Sequence, residues 1–242
     1  MKKQIDLSLI LACYNEGSTF RDSVEKILNV LNLSRLEYEV ILIDDKSLDD
    51  TPVTIKKLVK RSPSWLRAYY HQKNARRGAT VAEGIRKARG VVVGYIDVDC
   101  EVSPVYIPEI ASIILKGGAD FVIGNRIYRM TVLGMFREIL SKAYKKLANL
   151  LLDTGKLDTE SGYKFFKRSR ILPLLDYADH PHWFWDTQIV VLSKIKGLRI
   201  LEYPVLFIRR TEKKSTVRVF RDTVDYLVNL WKFSRRIKQL SL

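Results

Sequence analysis

The chain has 242 residues, 47% hydrophobic and 29% charged, with 12 Gly and 7 Pro. That length predicts one large domain, or one domain with a short appendage, around a core that needs no covalent staples; the composition excludes a collagen-like or largely disordered chain. Two cysteines, Cys13 and Cys100, are too few for a disulfide framework and read as small buried hydrophobes. Lys plus Arg number 42 against 27 Asp plus Glu, a formal net charge of +15, which calls for an anionic partner: nucleic acid, an anionic membrane surface or a phosphorylated substrate. The opening MKKQIDLSLILACYNE looks superficially like a signal peptide, but Asp6 interrupts the apolar stretch and no small-residue cleavage site follows, so a cytoplasmic chain is expected. No uncharged apolar run approaches the ~18 residues that span a bilayer, so membrane contact is expected to be peripheral.

Short apolar runs rich in branched residues alternate with longer helical patterns, as in a parallel sheet built from right-handed crossover units. Residues 7–12 read as a buried strand, 20–31 as a helix and 38–43 as the next strand. A second cycle gives a helix over 51–60, a strand over 66–71 and a helix over 79–89 that Gly90 ends. VVVGYI, residues 91–96, is the nearly continuous apolar run of a central strand covered on both faces. Helix 107–116, strand 120–123 and an amphipathic helix over 136–152 follow. After a turn-rich segment come a helix over 187–195, a strand over 201–207 and a basic, aromatic helix from about Val217. The fold class predicted is α/β, with domain 1–215 followed by an amphipathic helix in 216–242.

Ligands of open parallel sheets bind beyond the carboxyl ends of the strands. Three of those ends are polar in the same way: Cys13-Tyr14-Asn15-Glu16, Asp44-Asp45, and Asp97-Val98-Asp99-Cys100-Glu101. Carboxylates crowded at one edge of a +15 protein make sense if something polar or cationic sits between them. Positions 97, 99 and 101 alternate in an extended chain, which predicts three hard oxygen ligands on one side for Mg²⁺ or Mn²⁺ that also binds a diphosphate. His180 and His182 read as loop residues. Trp183, Phe184 and Trp185 suit either an isoprenoid entrance or the core.

With these residues in place, the chain resembles the family 2 glycosyltransferases, and among them the polyprenyl phosphate (dolichol phosphate) mannose or glucose synthases, over about residues 5 to 235. The motifs carrying the resemblance are CYNEG, IDDKSLDDT, NARRGATVAEGIRKARGVVVGYIDVDCEVSP, GNRIYR, the pair Arg137 and Ser141, DTESGYKFFKR, WFWDTQ, LEYPV and RRTEKKST, in that order. Departures are Ala12 for the usual proline, Ala75-Arg76 where Leu-Gly is common, Glu101 where Gln is frequent and Thr216 where Lys is frequent. The resemblance implies a GT-A-like domain, with Tyr14, Glu16, Asp97 and one of Asp44 or Asp45 contacting a GDP- or UDP-hexose donor. It implies a Mg²⁺ or Mn²⁺ ion on Asp97, Asp99 and Glu101, and an acceptor phosphate held by Arg126, Arg137, Ser141 and Arg210. Residues 126–146 hold six basic residues and one acid, which agrees with a dianionic phosphate.

The reaction implied is direct displacement at the anomeric carbon, with Asp99 and Arg137 among the catalytic residues. Asp186, in WFWDTQ, is where a general base would stand if the acceptor were a saccharide or diphospholipid hydroxyl; for a phosphate acceptor it has a supporting role. Between 209 and 238 ten basic residues face three acidic ones, and the apolar stripe through Val217, Phe220, Val224, Leu227, Trp231, Ile237 and Leu240, widened by Leu230 and Phe233, predicts docking on the anionic cytoplasmic membrane face, the alternative being that the stripe packs on the sheet domain. A nucleic-acid partner is not expected, because no motif of that class accompanies the charge.

Overall fold

The structure, a computed structural model, describes residues 4–61, 65–128, 149–155, 157–209 and 219–239. Strands β1 (Leu7–Cys13), β2 (Tyr38–Asp44), β3 (Leu66–Tyr70) and β4 (Val92–Ile96) alternate with helices α1 (Phe20–Leu33), α2 (Thr51–Arg61) and α3 (Arg77–Lys87). Then follow α4 (Ile107–Leu115), β5 (Phe121–Tyr128), β6 (Tyr163–Lys167), a helix Trp185–Ile195, β7 (Ile200–Phe207) and a C-terminal helix Val219–Ile237. One seven-stranded sheet has the order β3-β2-β1-β4-β6-β5-β7. All neighbours pair in parallel except β6, which is antiparallel to both β4 and β5.

Burial on both faces explains the unbroken apolar runs: Leu9, Ile10, Leu11, Val40, Ile41, Leu42, Val92 and Val93 have no exposed surface. The helices each cover a face with one stripe, as in α1, where Phe20, Val24, Ile27, Leu28 and Leu31 point inward. Two apolar clusters result, one under α1, α2 and α4 and the other under α3 and helix Trp185–Ile195.

The expected strands and helices of the first half are present within a few residues. β5 runs on to Tyr128, well past residue 123, because it pairs with the whole of β7. β6 lies in the segment that reads as turn-rich. Of the helix expected over 136–152, only the helical turn at 149–152 falls inside the described residues.

The C-terminal helix is docked on the domain. Leu230 and Phe233 are buried, and Phe184 meets Tyr226 and Phe233 edge-on. Arg236 pairs with Asp179, and Asn229 Nδ2 lies 3.3 Å from His180 Nε2. Leu227, Val228 and Trp231 face outward, with the Arg235 guanidinium over the Trp231 ring. Among the described residues, no helix is long and apolar enough to cross a membrane.

Candidate active site

The chain leaves β1, winds outward to β3 and returns through α3 to β4 on the other side of β1, so a crevice opens at the carboxyl ends of β1, β2 and β4. Its floor is two interlocked loops. After β1, Asn15 adopts φ 52° and donates its N–H to Ser47 Oγ at 3.0 Å; its Oδ1 accepts the Leu48 N–H at 2.7 Å. Glu16 N–H donates to Thr51 Oγ1 and Gly17 N–H to Asp49 Oδ2, while Glu16 Oε1 accepts the Tyr14 N–H at 3.1 Å. Tyr14 itself is exposed.

The two aspartates after β2 differ. Asp45 takes the backbone N–H groups of Ala75 and Arg76 at 2.6 and 2.8 Å and lies 2.7 Å from His71 Nδ1, so it fastens the loop leading into α3. Asp44 accepts from Ser47 N–H at 3.4 Å on each oxygen. Both are buried.

Beyond β4 the chain turns instead of continuing extended. Cys100 has φ 54° and its N–H returns to the Asp97 carbonyl at 3.3 Å, so the alternation expected of positions 97, 99 and 101 does not apply. The turn still leaves Asp97, Asp99 and Glu101 bordering one cleft, together with Val102, Arg126, Gly162, Tyr163 and Phe207. Asp99 Oδ1 accepts the Glu101 N–H at 3.2 Å. At Gly162, a Cβ would lie 1.9 Å from Asp97 Oδ2, so the Asp97 carboxylate rests directly on the main chain before β6.

Asp97 is held by Arg77, the first residue of α3, through Nη2 at 2.7 Å and Nε at 3.2 Å. The same guanidinium donates through Nη1 to Asp186. Asp186 also accepts from Tyr95 Oη and from Lys164 Nζ at 3.1 Å, and Lys164, with no exposed surface, caps the Thr159 and Ser161 carbonyls. Burial alone would push the Asp186 carboxyl up, but the cations Arg77 and Lys164 outweigh it and hold Asp186 below the usual carboxylate range. Burial lowers the Lys164 ammonium, against the pull of Asp186.

Across the cleft, Arg126 forms a two-pronged pair with the buried Asp158, Nε–Oδ2 2.8 Å and Nη2–Oδ1 2.9 Å. Arg126 thus lines the cleft with the acidic turn, whereas Arg137, Ser141 and Arg210 lie outside the described residues. Phe184 and Trp185 belong to the core, and Trp183 is 41% exposed with Arg77 over its ring.

Among the described residues, no three His, Cys, Asp or Glu side chains stand ready grouped for a metal ion. The donor chemistry nevertheless fits Mg²⁺ or Mn²⁺: three carboxylates, hard oxygen donors, border one cleft, with Asp97 paired to Arg77. Arg77, Tyr95, Lys164 and Asp158 are site residues that sequence reasoning passes over. Arg77 is one of two adjacent arginines at a helix start, and Lys164 sits in a short basic-aromatic run; their burial is the signal, and a sequence does not carry it.

The model of glycosyl transferase family 2 matches residues 8–172. The chain belongs to that family. Among its relatives is the glycosyltransferase AglD of Haloferax volcanii, 29% identical over 205 residues, covering 83% of this chain and 33% of the relative. The dolichyl-phosphate beta-glucosyltransferase of Dictyostelium discoideum is 26% identical over 254 residues, 94% of this chain and 77% of the relative. The dodecaprenyl-phosphate galacturonate synthase of Rhizobium johnstonii is 27% identical over 229 residues, 93% and 66% respectively. The chain therefore spans a third of the first of these relatives and about two-thirds to three-quarters of the others. Glucosyl-3-phosphoglycerate synthase from Mycobacterium tuberculosis, solved with UDP, has the same GT-A-like fold, with a TM-score of 0.69 at 18% identity over 95% of this chain and 80% of that one. Another crystal structure of that synthase holds Mn²⁺, UDP and glucosyl-3-phosphoglycerate, with a TM-score of 0.61 at 18% identity over 96% and 76% of the two chains.

Proposed function

We propose that this family 2 member is an inverting glycosyltransferase that moves a hexose from a nucleotide-sugar to a polyprenyl phosphate. The observation that carries the reading is the state of Asp186. A hydroxyl acceptor needs a general base poised near neutral pH and open to the acceptor. Asp186 is 2% exposed, surrounded by Arg77, Tyr95 and Lys164, and held below the usual carboxylate range, which makes it a weak and inaccessible base. A phosphate monoester, with a second pKa near ~6, is already ionised and needs none. Two relatives are named for transfer involving dolichyl or dodecaprenyl phosphate, which supports the same reading.

In this reading Tyr14, Glu16 and Asp44 take the nucleoside, and Asp45 keeps their loops in place through Ala75 and Arg76. Asp97, Asp99 and Glu101 would hold Mg²⁺ or Mn²⁺, which when bound neutralises the departing nucleoside diphosphate. Arg126, Arg137, Ser141 and Arg210 would receive the acceptor phosphate and aim an oxygen at the anomeric carbon opposite the leaving group, so that configuration inverts. Asp186 acts through Arg77, fixing the guanidinium at the donor edge. The C-terminal helix would meet an anionic membrane surface, on the cytoplasmic face, through Leu227, Val228 and Trp231 with Lys232, Arg235 and Lys238 around them.

The test is to incubate the protein with Mn²⁺, labelled UDP- or GDP-hexoses and either a polyprenyl phosphate or the corresponding free polyprenol. Label should enter the organic extract with the phosphate alone. Equal transfer to the polyprenol would overturn the phosphate-acceptor reading.

A further inference from the structure

The two arms of Arg77 are not equivalent. Nη1 reaches Asp186, whose side chain is 3% exposed, whereas Nε and Nη2 reach Asp97, whose side chain is 48% exposed. The guanidinium lies against Tyr95 and Trp183, with ring centroids at 5.6 and 5.0 Å. Burial disfavours its charge, but Asp186 and Asp97 more than compensate, so it stays a cation. Arg77 is also the first residue of α3, an end where the helix dipole disfavours positive charge. Its position is explained by the carboxylates and not by the helix.

We propose that Arg77 is the resident counter-cation of the donor site, occupying Asp97 until a nucleoside diphosphate arrives and thereby making divalent-metal binding depend on the nucleotide. The inference rests on the nucleotide-sugar and metal reading above. A dication approaching Asp97 meets the guanidinium as a like charge in a partly dehydrated cleft, where repulsion is poorly screened. Releasing Arg77 alone strands its Nε and Nη2 donors, which is costly for a guanidinium only 13% exposed. A diphosphate resolves both problems, since its oxygens can accept the freed donors and also ligate the metal. Asp186 keeps the other arm anchored during this exchange, which gives the buried Asp186–Lys164–Tyr95 cluster a positioning role. By linkage, the factor by which nucleotide tightens metal binding equals the factor by which metal tightens nucleotide binding.

The test uses the full chain and the electron paramagnetic resonance signal of free Mn²⁺, titrated without nucleotide and with UDP or GDP. In the wild type, the better nucleotide should tighten Mn²⁺ binding by at least ~10-fold, within the usual range of coupling between sites. Arg77→Lys keeps a charge for Asp186 but cannot bridge to Asp97, and Arg77→Met removes the charge; both should bind Mn²⁺ alone about 10-fold more tightly than the wild type. In an Asp97→Asn background the substitutions should have no such effect. Arg77→Lys keeps the result readable if Arg77→Met fails to fold. Mn²⁺ binding by Arg77→Lys that is unchanged or weaker would overturn the counter-cation role while leaving the metal reading intact. Absence of Mn²⁺ binding in every variant, with and without either nucleotide, would overturn the metal reading and this inference with it.

Discussion

At Gly162 an added Cβ would lie 1.9 Å from Asp97 Oδ2, and the clash involves a carboxylate already tied to Arg77. Gly162→Ala should therefore push Asp97 out of place without unfolding the sheet, since Gly162 does not sit at positive φ. Misplacing a reacting constellation by an ångström costs about 10²-fold in rate, which steady-state kinetics beside a thermal melt would detect. Wild-type kcat/KM in the variant would show that Asp97 is not placed by this contact. Lys164 gives a stability counterpart: Lys164→Met leaves Asp186 short of one partner in a fully buried cluster, and breaking such a pair costs about 3–5 kcal/mol. Because the folded-state Asp186 is held below its ordinary value, its contribution is present above the normal carboxylate range and is lost as pH falls through the depressed folded value. Urea titrations should thus show the wild type losing more stability than Lys164→Met on acidification below about pH 4. Neither residue stands out in the sequence. The acidic strand ends do, because Asp44, Asp45, Asp97, Asp99 and Glu101 follow apolar runs directly, whereas Arg77, the cation that answers Asp97, arrives from α3 through folding.

At the scale of elements, the loop entering α3 carries a cost. Arg76 has φ 72° and ψ 158°, a region open essentially to glycine, and it is fixed there because its N–H must reach Asp45. Arg76→Gly should stabilise the protein by about 1 kcal/mol, the relieved strain exceeding the added chain entropy of glycine. For a chain of this size that corresponds to a melting temperature higher by about 2–4 °C. A lower melting temperature would show that the Arg76 side chain contributes more than its backbone costs. The same elements mark what a sequence can disclose. β1, β2 and β4 are legible because burial on both faces writes near-continuous apolar runs, and α1 to α4 because each shows one stripe. β6 is not: YKFFK is five residues long with a buried lysine, and its place between β4 and β5 is decided by contacts some 70 and 40 residues away in sequence. The turn at 97–101 is hidden for a related reason, since the left-handed Cys100 is not a residue type that announces one.

For the whole molecule, the C-terminal helix divides its apolar residues between two surroundings. Leu230 and Phe233, which read as the margin of the stripe, enter the core, while Leu227 and Trp231 from its centre are exposed. Removing the helix would therefore strip the domain of core packing, so the membrane proposal is better tested by surface substitution. Leu227→Ser with Trp231→Ser should lower sedimentation with anionic vesicles while changing stability by no more than about 0.5 kcal/mol, as surface substitutions generally do. Binding by the wild type should also weaken with added salt, because the basic residues around Trp231 act through a screened field. Unchanged vesicle binding in the double variant would move the membrane contact elsewhere on the chain.

The reversed direction of β6 has a consequence for how such a chain can diversify. Ile123 pairs directly with Lys164, and β5 runs on to Tyr128 alongside β7, so the residues between β5 and β6 are tied to one sheet at both ends. A segment tied at both ends can change length cheaply, since each doubling of length adds only about 0.6 kcal/mol of closure entropy. The strands that end in Asp44 and precede Asp97 need not shift to accommodate it. On the function proposed above, new acceptor specificities are therefore open to acquisition by rewriting this segment alone, with the strands that precede the acidic loops inherited unchanged.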